Sequence, residues 1–278
     1  MRFMHSIVKA VAAVSLAAAG FTAAAQSAGE TGWEQVQRTK VLRVGVIADA
    51  IPYFHKDLAT GKWDGFGPDF ADSLGKSLGA KVQFVETTWG NAVLDLQSNK
   101  IDVMFGLAPT PERAKAVDFS DTLFVNTYTS VCNKANAGKS WADLNNPNVK
   151  ISVDVGSSND MAATKMAPNA NIQRFDSQGA ATLALQSGRV DCQVLVILLA
   201  QPMLVKVPDA GTLTIPEPFF SNATSIGLRK ESDPKLREAV NKWLADARSR
   251  DEIKSVILSN MQKLVGVKPE SFPANVKF

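Results

Sequence analysis

Ile101-Asp-Val-Met-Phe-Gly-Leu-Ala-Pro-Thr-Pro-Glu-Arg113 carries the change of periodicity that decides the fold. Ile101 to Phe105 is a short apolar run of the kind that forms a buried strand, and Thr110-Pro111 starts a helix. Thr can accept from the orphan N–H groups of the first turn, and Pro at the first helical position has its φ already set. Arg113 then falls in that first turn, where the helix dipole favours anions and a guanidinium is mildly disfavoured. Two readings stay open at this point. Arg113 is a solvated surface residue, the common fate of Arg, or its cost is offset by an anionic ligand at the mouth of the strand.

Working back from Ile101, Val41 to Ile47 is a short apolar strand, and Ile51 to Trp63 carries the loop formers Pro52 and Gly61. Phe70, Leu74 and Leu78 recur at four-residue spacing on a helix over 68–78 that Gly79 closes. Lys81 to Val85 alternates as a second strand, a helix runs from about Gly90 to Ser98, and the strand at Ile101 completes βαβαβ. Working forward, Ser140-Trp-Ala-Asp143 resembles a capping box. Strand 149–155 meets Gly156-Ser157-Ser158-Asn159, followed by strand 172–175, helix 180–187 and a strand or strand-to-helix run over 191–199. The second unit therefore repeats the organisation of the first. Such alternation predicts two parallel sheets covered by helices, with ligands at the carboxyl ends of the strands. Extended segments at 122–132 and 219–228 are expected to cross between the two lobes, and amphipathic helices over 234–249 and 252–264 finish the chain.

The N-terminus has a basic start, an Ala-Val-rich apolar region and Ala23-Ala24-Ala25, which predicts a secretory signal peptide over residues 1–25. The mature protein is then expected to be soluble, periplasmic and monomeric. The formal net charge is +3 with no basic block, which argues against a nucleic-acid partner. In an oxidising compartment Cys132 and Cys192 form a disulfide or stay two separate buried thiols.

Gly156-Ser157-Ser158 offers backbone N–H groups and hydroxyls to an anion, or serves as an ordinary helix cap. Paired with Arg113 from the other lobe, it would grip one carboxylate from two sides. Trp89 and Phe54 offer apolar walls, or pack in the core. Enzymatic constellations are scarce. The only histidines are His5 and His55, so a His-based triad or multi-histidine metal site cannot be assembled, and no phosphate-loop or dinucleotide fingerprint is present. No catalytic residue, metal ligand or cofactor is assigned.

In order, Leu42-Arg-Val-Gly-Val, Gly65-Phe-Gly-Pro-Asp-Phe-Ala71, Trp89 with Leu96-Gln-Ser-Asn-Lys-Ile-Asp102, Thr110-Pro-Glu-Arg-Ala-Lys-Ala-Val-Asp-Phe-Ser120, Ser140-Trp-Ala-Asp-Leu144, Ser187-Gly-Arg-Val-Asp191 and Ile226-Gly-Leu-Arg-Lys230 resemble the family 3 extracellular solute-binding proteins, the polar-amino-acid receptors of ABC importers. The resemblance implies an α/β two-lobe periplasmic-binding-protein fold of type II, with lobe 1 at 31–125 and 226–278, lobe 2 at 126–225, and two hinge strands. It implies a small carboxylate ligand and a permease partner in the inner membrane. Arg113 and the Gly156–Ser158 junction would hold the carboxylate, with Trp89 against the ligand body and Gly106 also among the ligand-binding residues. The sequence departs from the family where it matters for an α-ammonium: Ile51 replaces an aromatic, Ala108 a Ser or Thr, and Val196 an Asp. The preferred ligand is therefore expected to be a carboxylate lacking that ammonium, unless Asp49, Asp154 or Asp160 supplies the missing charge. A cyclohexadienyl-dehydratase-like enzyme and a periplasmic sensor module are the alternatives.

Overall fold

The computed structural model describes residues 29–272, and the expected signal peptide lies outside them. Helix α1 (Gly32–Thr39) opens on a reciprocal capping box, in which Thr31 accepts from the Glu34 N–H and Glu34 accepts from the Thr31 N–H. Strand β1 (Val41–Val46) follows, and then β2 (Asp49–Ala50), β3 (Phe54–Lys56) and β4 (Trp63–Asp64) pair as a small antiparallel sheet where a loop was expected. Helix α2 (Phe66–Leu78) buries Phe66, Phe70 and Leu74 and ends at Gly79, whose φ of 63° suits glycine. Next come β5 (Lys81–Glu86), α3 (Ala92–Gln97), β6 (Val103–Leu107), α4 (Pro111–Ala116) and β7 (Val117–Phe119). Strand β1 lies parallel between β5 and β6, the arrangement the βαβαβ pattern dictates.

The second unit starts with β8 (Phe124–Cys132) and α5 (Trp141–Leu144), capped reciprocally by Ser140 and Asp143. It continues through β9 (Lys150–Asp154), α6 (Ser158–Met166), β10 (Asn171–Phe175), α7 (Gln178–Gln186), β11 (Cys192–Val196), α8 (Ile197–Lys206) and β12 (Thr212–Thr214). Strand β9 is parallel to both β10 and β11. The chain then runs through β13 (Ser221–Arg229), α9 (Lys235–Ser249) and α10 (Glu252–Val265). Helix α9 buries Leu236, Val240, Trp243 and Leu244, and Trp243 stands edge-on to Phe70 and Phe105. Burying each such side chain contributes about 1.5–3 kcal/mol.

The sheet order is β10-β9-β11-β8-β13-β6-β1-β5. Strands β8 and β13 join the two parallel halves by pairing antiparallel with each other, from Phe124 opposite Thr224 to Thr127 opposite Ser221. Both strands are nine residues long, and each continues into one half: β8 pairs β11, and β13 pairs β6. Cys132 and Cys192 stand opposite each other in the β8–β11 register and form a disulfide, S–S 2.07 Å with Cα atoms 4.0 Å apart. The carboxyl ends of β1, β5, β6, β9 and β11 deliver residues 47–49, 86–89, 106–108, 154–156 and 196 to one region.

Candidate functional site

Arg113 is the centre of that region, and the structure buries it, leaving 6% of its surface exposed. Thr110 caps α4 by accepting from the Arg113 N–H at 3.3 Å, which holds the residue at the mouth of β6. Its guanidinium donates to two neutral carbonyls, Nη1 to Ala108 O at 3.2 Å and Nη2 to Gly156 O at 2.9 Å. The second bond ties α4 to the end of β9. Among the described residues no carboxylate lies within ion-pair distance of Arg113. Burial pushes its pKa down to about 10, only partly opposed by Tyr128 and Asp154. A buried cation without a counter-charge is expensive.

The space beside the guanidinium is only about 10 Å³, room for about one water molecule. Tyr53, Trp89, Gly106, Asn126, Ser157, Ser158, Asn159, Val196 and Leu199 complete its walls. Gly106 has a φ of +82°, and a Cβ there would fall 2.9 Å from the Tyr53 ring, so glycine serves both the turn and the approach of the aromatic. Gly156 similarly lies against Gly90, where a Cβ would meet backbone at 2.9 Å.

Of the residues expected from sequence, Arg113, Gly106, Trp89, Ser157, Ser158 and Val196 line this one cavity, and Gly156 reaches it through its carbonyl. Three others do not line it. Ile51 faces a separate cavity with Asp49 and His55, and the aromatic that the first loop contributes is Tyr53, edge-on to Trp89 at 5.9 Å. The reason is the turn between β2 and β3: the N–H groups of Phe66 and Gly67 bond the Pro52 and Tyr53 carbonyls and turn Tyr53 inward. Phe54 is fully buried against Gly67 and backs Trp89 at 6.2 Å. Ala108 contributes its carbonyl to Arg113 and lines a neighbouring cavity of about 830 Å³ with Glu112, Ser158 and Arg174. Ser157 Oγ acts as the N-cap of α6, accepting from the Asn159 and Asp160 N–H groups.

The three candidate carboxylates fare differently. Asp160 pairs with Arg174 at 2.9 Å and accepts from the Gly156 N–H. Asp49 is exposed and accepts from the Gly179 N–H at 3.3 Å. Asp154 is 5% exposed; its Oδ1 accepts from Ser157 Oγ and Asn159 Nδ2, and burial raises its pKa. It borders a cavity of about 330 Å³ with Asp49, Glu86 and Asp176, separated from the Arg113 cavity by Trp89, which lines both.

Sequence reasoning missed Asn126 and Tyr53. Asn126 Nδ2 donates to the Tyr53 hydroxyl at 2.7 Å and to Thr224 Oγ1 at 2.9 Å, linking the first loop to both long strands. The signal was an Asn inside an extended segment rich in aromatic and β-branched residues, since a buried amide needs partners.

Known proteins share this fold and sequence pattern. The profile of the bacterial extracellular solute-binding proteins, family 3, matches residues 42–260. The chain is 26% identical over 245 residues to the arginine-binding extracellular protein ArtP of Bacillus subtilis, covering 87% of this chain and 94% of that one. It is 25% identical over 246 residues to a cyclohexadienyl dehydratase of Pseudomonas aeruginosa, covering 87% and 88%. Among solved structures, the ancestral amino acid-binding protein AncCDT-1, a precursor of cyclohexadienyl dehydratase, superposes with a TM-score of 0.72 at 33% identity, covering 84% of this chain and all of that one. The fold is the two-lobe type II arrangement of solute-binding proteins, and the chain belongs to the bacterial extracellular solute-binding proteins, family 3.

Proposed function

We propose that the protein binds a small carboxylate-bearing solute between two lobes, residues 31–125 with 226–278 and residues 126–225, and delivers it to an ABC importer in the inner membrane. Arg113 carries the reading: a guanidinium with 6% exposure and only carbonyl partners is set to receive a carboxylate. The solute is an amino acid or a related organic acid, the class that the names of the relatives support. Binding starts with separation of the lobes at β8 and β13, which breaks the Arg113–Gly156 bond. The ligand carboxylate takes the place of the Gly156 carbonyl, and reclosure buries it under Trp89 and Tyr53. Export follows from cleavage after Ala25, and a monomer suffices because one chain supplies the whole cavity.

A thermal-shift screen of amino acids, keto acids, hydroxy acids and dicarboxylates tests the reading. A ligand at about 100 times its Kd stabilises by about 2.7 kcal/mol. Stabilisation by a carboxylate, lost on Arg113→Met, is the expected result. No response to any carboxylate, or a response indifferent to that substitution, would overturn it. Asp154 gives the enzyme alternative its one foothold, since a lyase of the dehydratase type needs a proton donor and burial keeps this carboxyl protonated further up the pH scale than usual. Prephenate turnover abolished by Asp154→Asn would establish that reading; binding without turnover is the outcome expected.

A further inference from the structure

Asn126 is buried to 5% exposure, borders the Arg113 cavity, and leaves its Oδ1 without a hydrogen-bond partner among the described residues. Its amide nitrogen is fully used, one proton to the Tyr53 hydroxyl and one to Thr224. The Tyr53 hydroxyl accepts one of those bonds, and its own proton has no acceptor among the described residues. Burial raises the Tyr53 pKa, so the group stays a donor across the working range. Both residues line the cavity, so its wall holds an unpaired acceptor and an unspent donor. A buried amide oxygen left this way is costly, and its partner has to come from outside the fold.

A hydroxyl group matches such a pair, since it has one proton to donate and lone pairs to accept with. An ammonium matches poorly. It brings three protons and a charge, while Val196 and Leu199 offer this cavity only apolar side chains. A ketone satisfies Tyr53 and leaves Asn126 Oδ1 unpaired. Resting on the reading of Arg113 as the carboxylate site, we propose that Asn126, with Tyr53, determines specificity by recognising a hydroxyl on the carbon next to the carboxylate, so that the preferred solute is a 2-hydroxy acid. Once the lobes separate, its tail meets Trp89, Val196 and Leu199, which line the same cavity.

Calorimetric titration with four matched acids tests this: 2-hydroxy-4-methylpentanoate in both enantiomers, 4-methyl-2-oxopentanoate, 4-methylpentanoate and leucine. The expected result is one hydroxy-acid enantiomer binding at least tenfold tighter than the other three, the scale of one satisfied buried acceptor. Asn126→Ala should erase the gap between the hydroxy acid and 4-methylpentanoate by weakening the hydroxy acid. Because Asn126 bridges Tyr53 and Thr224, a second variant guards against misfolding. Asn126→Asp keeps the shape, supplies a charge, and should move the preference from the hydroxy acid to leucine. Hydroxy acid and 4-methylpentanoate within twofold in the wild type would overturn the proposal, as would a gap that survives Asn126→Ala. Tighter binding of the keto acid would show that the amide presents its N–H groups to the cavity, and tighter binding of leucine that an ammonium is the donor; either result overturns the assignment. If carboxylates bind through Arg113 with no such preference, only this inference fails. If none of the four binds, the carboxylate reading falls and takes this one with it.

Discussion

Arg113→Met separates a binding arginine from a structural one, because the two roles have opposite effects on the unliganded protein. Burial pushes the guanidinium pKa down from its ordinary value to about 10 on folding. Converted at 1.36 kcal/mol per unit, the charged form destabilises the fold by roughly 3 kcal/mol. A base with a depressed native pKa carries that whole penalty below its native value, so it is present in full at neutral pH. Methionine fills most of the volume and removes the charge, but leaves the Ala108 and Gly156 carbonyls without a donor, at about 1 kcal/mol each. The balance is a variant about 1 kcal/mol more stable than wild type without ligand, which raises Tm by about 2–4 °C for a chain of this size. Urea denaturation of both proteins without ligand, beside calorimetric titration with a carboxylate that the wild type binds, reads both effects. Unchanged or higher stability with binding lost is expected. A loss of more than about 2 kcal/mol would refute the reasoning, since Arg113 would then be holding the fold together. So would wild-type affinity in the variant.

The remaining predictions concern the neighbours of this cation. Asp154 has a raised native pKa, so its favourable contribution is present below the unfolded value of 3.8 and is lost as pH rises through the native one. Asp154→Asn retains the Oδ1 that Ser157 and Asn159 bond, and denaturation at pH 5 and pH 7 should show it more stable than wild type at the higher pH; equal or lower stability there would contradict the assignment. Gly106→Ala places a methyl 2.9 Å from the Tyr53 ring at a φ of +82°, and should cost about 1–3 kcal/mol in a urea melt; a neutral effect would mean that Tyr53 yields freely. The Cys132–Cys192 link spans 60 residues, and loop-closure entropy puts its contribution at about 4 kcal/mol. Thiol titration of unfolded, unreduced protein should find no free thiol, and reduction should lower the midpoint of unfolding, whereas two titrating thiols would rule the link out.

Periodicity made most of the fold legible. Apolar runs at 41–47, 101–105 and 149–155 and the four-residue spacing of Phe70, Leu74 and Leu78 correspond to β1, β6, β9 and α2. Short elements without a period were not legible. Strands β2 and β4 are two residues each, and α8 begins inside the continuous apolar run 194–199, where strand and helix look alike. Helix α1 was visible in principle, since Thr31-Gly-Trp-Glu34 spells a capping box. In the site, Arg113, Gly106, Trp89 and Ser157–Ser158 could be read because strand ends and helix starts locate them. Tyr53 and Asn126 could not. Tyr53 is placed by backbone bonds between the first loop and α2, and Asn126 by a bridge to residues 73 positions before it and 98 after it, contacts that spacing along the chain does not encode.

The central claim is that a buried arginine holds a carboxylate, and replacing that carboxylate alone tests it most directly. Once a screen has named a binding acid, the acid and its primary amide should be titrated side by side into the wild type and into Arg113→Met. The two ligands have nearly the same shape, and only the acid brings a negative charge. In the wild type the acid should bind several hundred-fold tighter, the scale of about 3–5 kcal/mol for a buried cation left unpaired. In the variant that difference should vanish. Equal affinities of acid and amide in the wild type would contradict the account.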